Sequence, residues 1–410
     1  MMIKLNTLKY YFSLVLVFIV IIWTPIQRTL LMIDGAGRMQ LLLIMLAVFI
    51  NIRSIIKKSI QFPIVFYLIL AVYMFCNGLT HDSNLLFESG FMGYFIMFRA
   101  IFNTVFLMIV VICLGSYNFD RTLNIVTLSL LLYCVICLVN SEMTDDRLLG
   151  VMDPNQLALN AGMCFSCIIL QFIRKNIPVY VFVAEASFIL YLIVVDTGSR
   201  MGFAMIVVIT GLSILLLRDY KSVKSLIVML ILVVVGAIMV KYVIDNTFVG
   251  ERILELNDQD VNEEFTTGTV LDYLGDRGWQ YYYSWPLFLK NPVYGIGFHQ
   301  WINYNPIQDT VAHSEYMVEY LENGLIGFVL YLLFFVGLII VLLKKKRQSE
   351  KKDSRTIMMF VITLISVFVS NFSLWSYDSV GVFAIYGLAY AINNKKTKCF
   401  TEQPRILFDN

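Results

Sequence analysis

The chain has 410 residues, 59% hydrophobic and 15% charged, with a mean hydropathy of +0.76. A soluble globular chain carries nearer a quarter charged residues, so composition excludes an ordinary soluble fold. The net charge of +2 says little by itself; its distribution says more.

Lys4 and Lys9 precede an apolar run from Tyr10 to Trp23, as in a signal sequence. Thr24-Pro25 follows in place of a small-residue cleavage site, so the run is read as an uncleaved first span. Apolar runs long enough to cross a bilayer then recur. The pattern predicts about twelve transmembrane helices, near 10–24, 39–52, 62–79, 91–115, 122–140, 155–173, 177–195, 201–217, 225–244, 325–343, 356–374 and 379–392. The expected fold class is therefore an all-α polytopic membrane protein. Its predicted organisation is nine spans over 1–244, an extracytoplasmic catalytic loop with short helices over 245–324, three spans over 325–393 and a cytoplasmic tail over 394–410.

Lys and Arg gather in alternate loops: Arg53/Lys57/Lys58, Arg174/Lys175, Arg218/Lys221/Lys224, Lys344 to Arg347 and Lys395/Lys396/Lys398. This positive-inside asymmetry predicts that both termini are cytoplasmic. The Lys344–Arg347 run is then a topology anchor, and no nucleic-acid partner is expected. Two C-x-x-C pairs, Cys134/Cys137 and Cys164/Cys167, lie inside apolar runs, where cysteine behaves as a small hydrophobe. No D-x-D in a soluble α/β pattern, no P-loop and no H-E-x-x-H is present, which disfavours nucleotide-sugar chemistry with a divalent metal and ATP-driven transport, and no cofactor is expected.

The same topology puts all three histidines, His81, His299 and His313, on the outer side with the one long loop. From Asp245 to Ala312 that loop carries ten acidic residues against three basic ones, Arg252, Arg277 and Lys290. Its cluster of Trp279, Tyr281, Tyr282, Tyr283, Trp285 and Trp301 argues against disorder. Those rings either sit at the lipid interface, the favoured reading for most of them, or stack on a ligand such as a sugar ring.

Thr197-Gly198-Ser199-Arg200 lies where the seventh span ends and the eighth begins. Arg200 would occupy the first turn of a helix, where the macrodipole disfavours a cation. A salt bridge to Asp196, an anion bound on the Gly198 and Ser199 N–H groups, or snorkelling to the interface would each resolve this. Arg277, beside Trp279, either pairs with Asp276 or meets a phosphate bidentately. Asn291-Pro292-Val293-Tyr294-Gly295-Ile296-Gly297 reads as a tight turn. His313 begins a helical segment whose wheel puts Met317, Tyr320 and Gly324 on its face and Glu322 roughly opposite. Glu322 is read as a cap or brace for the helix re-entering at Gly324 to Gly327.

These motifs together resemble the O-antigen polymerase and O-antigen ligase superfamily of bacterial envelope polysaccharide synthesis. The matching pieces are T-G-S-R at Thr197–Arg200, R-x-W at Arg277–Trp279, N-P-x-x-G-I-G at Asn291–Gly297 and the H…E-x-G-x-x-G pattern from His313 to Gly327. Asp153-Pro154-Asn155 looks like the family's Asn-Pro-Asn region. The resemblance implies a GT-C-like integral membrane glycosyltransferase of the bacterial cytoplasmic membrane. Its donor and acceptor would be glycans on undecaprenyl pyrophosphate, its site extracytoplasmic, and a flippase and a chain-length regulator its functional partners. By position, Arg200 and Arg277 would hold the pyrophosphate and His313 would be the base, with Arg99, Ser199, Asn155, Trp279, Tyr320 and Glu322 in support. Ser314 departs from the Asn that many ligases carry there, which leaves polymerase and ligase both open. A lipid-linked-glycan flippase is the reading from another class, and Arg99 is the residue such a transporter would use.

Overall fold

The computed structural model describes residues 2–27, 37–58, 61–81, 90–140, 142–144, 147–149, 153–217, 236, 238–247, 250, 276–306 and 314–394. Five helices come first: α1 (Met2–Ile26), α2 (Gly37–Lys58), α3 (Ile64–His81), α4 (Gly90–Tyr117) and α5 (Phe119–Val139). Then come β1 (Glu142–Thr144) and β2 (Arg147–Leu149), α6 (Pro154–Ile173), α7 (Val179–Tyr191) and α8 (Arg200–Leu216). The last four helices are α9 (Asp276–Lys290), α10 (Gly324–Arg347), α11 (Lys351–Ser370) and α12 (Val380–Asn393).

Eleven of the twelve predicted spans coincide with these helices; the ninth, 225–244, falls largely outside the described residues. Among the described residues, eight helices are long and apolar enough to cross a membrane, and Ile101–Tyr117, Arg200–Leu216 and Val380–Asn393 are shorter apolar segments. The all-α expectation holds, with one short hairpin added to the helices. β1 and β2 pair antiparallel, with Met143 opposite Leu148. Strands of three residues are too short for a period-2 pattern to reveal.

The helices face lipid as their composition demands. Leu325, Val329, Leu333, Val336 and Ile340 form one exposed stripe down α10 at helical spacing, a surface that hydrocarbon solvates and water does not. By contrast α12 is buried at every position from Val380 to Ile392. It packs mainly on α4 and α6 and forms the axis of the bundle.

The contacts sort the loops into two ends. At one, the Arg174 guanidinium at the α6 C-terminus pairs with Asp120 at the start of α5 and with Asp353 of α11, the latter at 2.8 Å. The Tyr390 hydroxyl near the end of α12 donates there to the Phe62 carbonyl just before α3. The other end gathers the C-terminus of α3, the N-termini of α6, α8, α10 and α12, the turn after α9 and the 371–379 loop. The alternation of Lys and Arg in the sequence sorts the same loops in the same way.

Candidate active site

T-G-S-R builds the start of α8 by local rules. α7 runs on into a π-helical turn, Leu192–Asp196, and the Thr197 hydroxyl donates back to the Ile193 carbonyl at 2.8 Å. Gly198 takes φ +55, a left-handed conformation that costs a glycine nothing. Ser199 then caps α8, its Oγ accepting from the Gly202 N–H at 3.2 Å. The same Oγ donates to Asn155 Oδ1 at 3.1 Å. Asn155 lies in the first turn of α6, which Asp153 caps by accepting the Asn155 N–H at 2.6 Å, with Pro154 at the first helical position. Ser199 and Asn155, far apart in sequence, therefore join the N-termini of α6 and α8. A Cβ on Gly202 would sit 2.7 Å from Ala158 Cβ, so the two helices meet closely there.

Arg200 stands in the first turn of α8, half-buried, as the sequence predicts. Asp196, one of the alternatives considered for Arg200, lies in the π-helical turn just before α8. Asp196 is 5% exposed and its Oδ2 has no hydrogen-bond partner.

The N-P-V-Y-G-I-G-F-H stretch is a braced turn. Gly295 and Gly297 take φ +75 and +100, and His299, which has a Cβ to accommodate, takes φ +64. Asn77 of α3 donates to the carbonyls of Tyr294 and Glu322, both at 2.9 Å, and the Tyr73 hydroxyl donates to the Asn323 carbonyl at 3.1 Å. Glu322, 3% exposed, accepts the His299 N–H at 2.8 Å and the Trp301 N–H at 3.1 Å, one on each carboxyl oxygen. Glu322 is thus a brace, of the preceding turn as well as of the helix entry. Trp301 is fully buried, which corrects its place among interfacial or ligand-stacking aromatics. Phe298 packs on Phe98 at 4.8 Å between ring centroids, and this brings the turn beside half-buried Arg99 of α4.

Residues 314–323 do not form the continuous helix that the wheel assumed. A single turn, Glu315–Met317, passes into a π-helical turn, Val318–Glu322, and Gly324 breaks it with φ +65. Ser314 Oγ donates to the Asn371 carbonyl at 2.9 Å, and Glu315 Oε2 accepts from the Ser376 and Tyr377 N–H groups at 2.6 and 3.2 Å. This segment is therefore fastened onto the 371–379 loop. Glu315 and Glu319 are fully buried, and both Glu319 oxygens lack a hydrogen-bond partner. Burial pushes Glu315 and Glu322 up to about 7, against the backbone N–H groups that each accepts, and holds Glu319 well above the usual carboxylate range. Sequence reasoning missed Glu315 and Glu319. Their spacing of four and then three residues to Glu322 marks one helical face, and that was the available signal.

α9 carries the aromatic cluster. Arg277 is in its first turn, and the side chain of Arg277 lies outside the described residues, as does the whole of His313. Trp279 stacks on Tyr283 at 5.8 Å. The Tyr281 hydroxyl lies 2.5 Å from Ser314 Oγ and donates to the Phe372 carbonyl at 2.9 Å. The Tyr320 hydroxyl lies 2.6 Å from Ser284 Oγ. Those bonds lock α9 to residues 314–320, and so bring the helix of Arg277 beside the chain neighbour of His313.

Residues 186–332 match the family model described as O-antigen ligase. That match supports the resemblance of this segment to the O-antigen polymerase and ligase superfamily. The matched region takes in T-G-S-R, R-x-W, the braced turn and the 314–323 segment, so every motif except Asp153-Pro154-Asn155 falls inside it. The family points to a multi-pass membrane protein with glycosyltransferase-like activity. No curated protein matches the chain at a significant level.

Proposed function

We propose that the protein polymerises lipid-linked oligosaccharide repeat units. It would transfer the growing glycan from undecaprenyl pyrophosphate to a sugar hydroxyl of the next lipid-linked unit, on the outer side of the bacterial cytoplasmic membrane, within a GT-C-like bundle of about twelve spans. The observation that carries this reading is the Tyr281–Ser314 contact. It ties the helix that starts with Asp276-Arg277 to the residue after His313, so an anion-binding arginine and a base can serve one bond.

The N-termini at this end support an anion. Ser199 links α6 to α8, and Asn160 Oδ1 of α6 accepts from Ser379 Oγ and from the Gly381 N–H of α12, at 3.0 and 2.9 Å. Three helix N-termini thus point their positive dipole ends into one region, with Arg200 among them. A pyrophosphate is already a good leaving group, so charge stabilisation by Arg200 and Arg277 replaces acid catalysis. His313 would take the acceptor proton, and direct attack at the anomeric carbon would invert its configuration. Delivery of the finished chain to another acceptor, as a ligase would do, uses the same residues.

The test is transfer by purified protein supplied with one pure lipid-linked unit and no other acceptor. A ladder of longer products supports the polymerase; product only after adding a separate acceptor supports the ligase. His313→Ala should abolish the ladder, and Arg200→Lys and Arg277→Lys should each slow it strongly, since lysine loses the bidentate geometry. Unchanged rates in these variants would refute the assigned roles.

A further inference from the structure

A cavity of about 620 Å³ opens on α9, lined by Tyr281, Tyr282, Tyr283, Trp285, Pro286 and Tyr320 and edged by Gly278. Its size is that of an ordinary small-molecule site. Two of its rings are fixed from behind. The Tyr281 hydroxyl is held by the Phe372 carbonyl and Ser314, and that of Tyr320 by Ser284. Three others are exposed, Tyr282 by 50%, Tyr283 by 39% and Trp285 by 55%. The lining contains aromatic rings, one proline and one glycine, and no branched aliphatic side chain.

That chemistry discriminates between occupants. A prenyl or acyl chain is matched by Leu, Ile and Val, which this cavity lacks. A pyranose ring offers a flat C–H face bounded by hydroxyls, and rigid rings with polar tips complement both features. The position discriminates further. Gly278, at the edge of the cavity, follows Arg277 directly in the chain, and Tyr281, in its wall, contacts Ser314, which follows His313.

We propose that this cavity receives the terminal sugar ring of the acceptor glycan and holds it by its face. The inference rests on the transferase reading above and adds a substrate contact to it. Tyr282, Tyr283 and Trp285 set acceptor affinity, while Tyr281 and Tyr320 position the wall.

The experiment uses full-length protein in nanodiscs and single lipid-linked repeat units extracted from cells lacking this protein. Trp285→Leu and Tyr282→Leu should each raise the half-saturating concentration about three- to tenfold, with kcat within about twofold. Trp285→Phe and Tyr282→Phe, which keep an aromatic face, should restore it. A second readout needs no transfer: titration calorimetry with the free oligosaccharide, released from its lipid by mild acid, should show wild-type binding in Trp285→Phe and about three- to tenfold weaker binding in Trp285→Leu. If the Leu variants match wild type in both readouts, the rings are lipid contacts and the inference is overturned. If wild type binds the oligosaccharide but transfers nothing, the sugar site stands and the transferase reading falls.

Discussion

Glu322 is the side chain whose removal the structure prices most directly. It is 3% exposed, and its two oxygens accept the His299 and Trp301 N–H groups at 2.8 and 3.1 Å. In Glu322→Gln one oxygen becomes an NH2 group facing an N–H donor, so one buried amide loses its partner at a cost of about 1–3 kcal/mol. Glu322→Ala removes both partners, roughly doubling that cost before any cavity term. His299 at φ +64 is the residue that relaxes, because only the bracing holds it in the left-handed region. Amide hydrogen exchange reports this locally and does not require reversible global unfolding. Exchange over residues 296–301 should accelerate about 5- to 150-fold in the Gln variant, and further in the Ala variant. Exchange within about twofold of wild type in both variants would refute the bracing role.

Ser199→Ala removes the α8 cap and the bond to Asn155, so thermal stability in detergent should fall by about 1–2 kcal/mol; an unchanged melting profile would refute the cap. Gly295→Ala places a Cβ at φ +75 against the Glu322 carbonyl, and the variant should yield little folded protein by size-exclusion chromatography, whereas Gly211→Ala, with nothing within 4 Å, should behave as wild type. Glu315 and Glu322 are both pushed up by burial to about 7. Their folded-state values exceed the ordinary carboxylate value near 4.5, so the stability they contribute is complete below that pH and is lost as pH rises through 7. The apparent Tm should therefore fall between pH 5 and pH 8, less steeply in Glu315→Gln, and a flat profile would contradict the burial of these carboxyls.

What was legible in the sequence followed from local rules. The first-turn place of Arg200 and the tight turn at Asn291–Gly297 both rest on residues adjacent in the chain, and Gly and Pro carry that information; the cap at Ser199 is equally local and was not drawn from the sequence. Apolar length and charge alternation gave eleven of the helices and sorted their loops into two ends. The misses came from contacts between distant segments. No local signal says that Asn77 and Tyr73 of α3 hold the turn after α9, or that Glu315 clamps the 371–379 loop. Trp301 looked like its aromatic neighbours in sequence, and packing alone buries it.

The error over residues 313–327 is the most informative one. A helical wheel assumes 3.6 residues per turn, and the π-helical turn at Val318–Glu322 breaks that period. The same device stands before α8, where Leu192–Asp196 is π-helical. In both places the wide turn ends beside a left-handed glycine, Gly198 or Gly324, and buries carboxylates, Asp196 or Glu319 and Glu322. A regular helix would carry each chain straight on. The wide turn and the glycine together let the chain stop, redirect and begin a new helix at the same end of the bundle. The buried carboxyls, costly wherever they are, are accommodated at the two points where the ladder is already broken. One of them, Glu322, uses its oxygens to fix the braced turn. The two breaks therefore explain why T-G-S-R and E-x-G-x-x-G, more than a hundred residues apart, read as the signature of a single site: each begins a helix at the end of the bundle where Arg200, Arg277 and His313 are proposed to work.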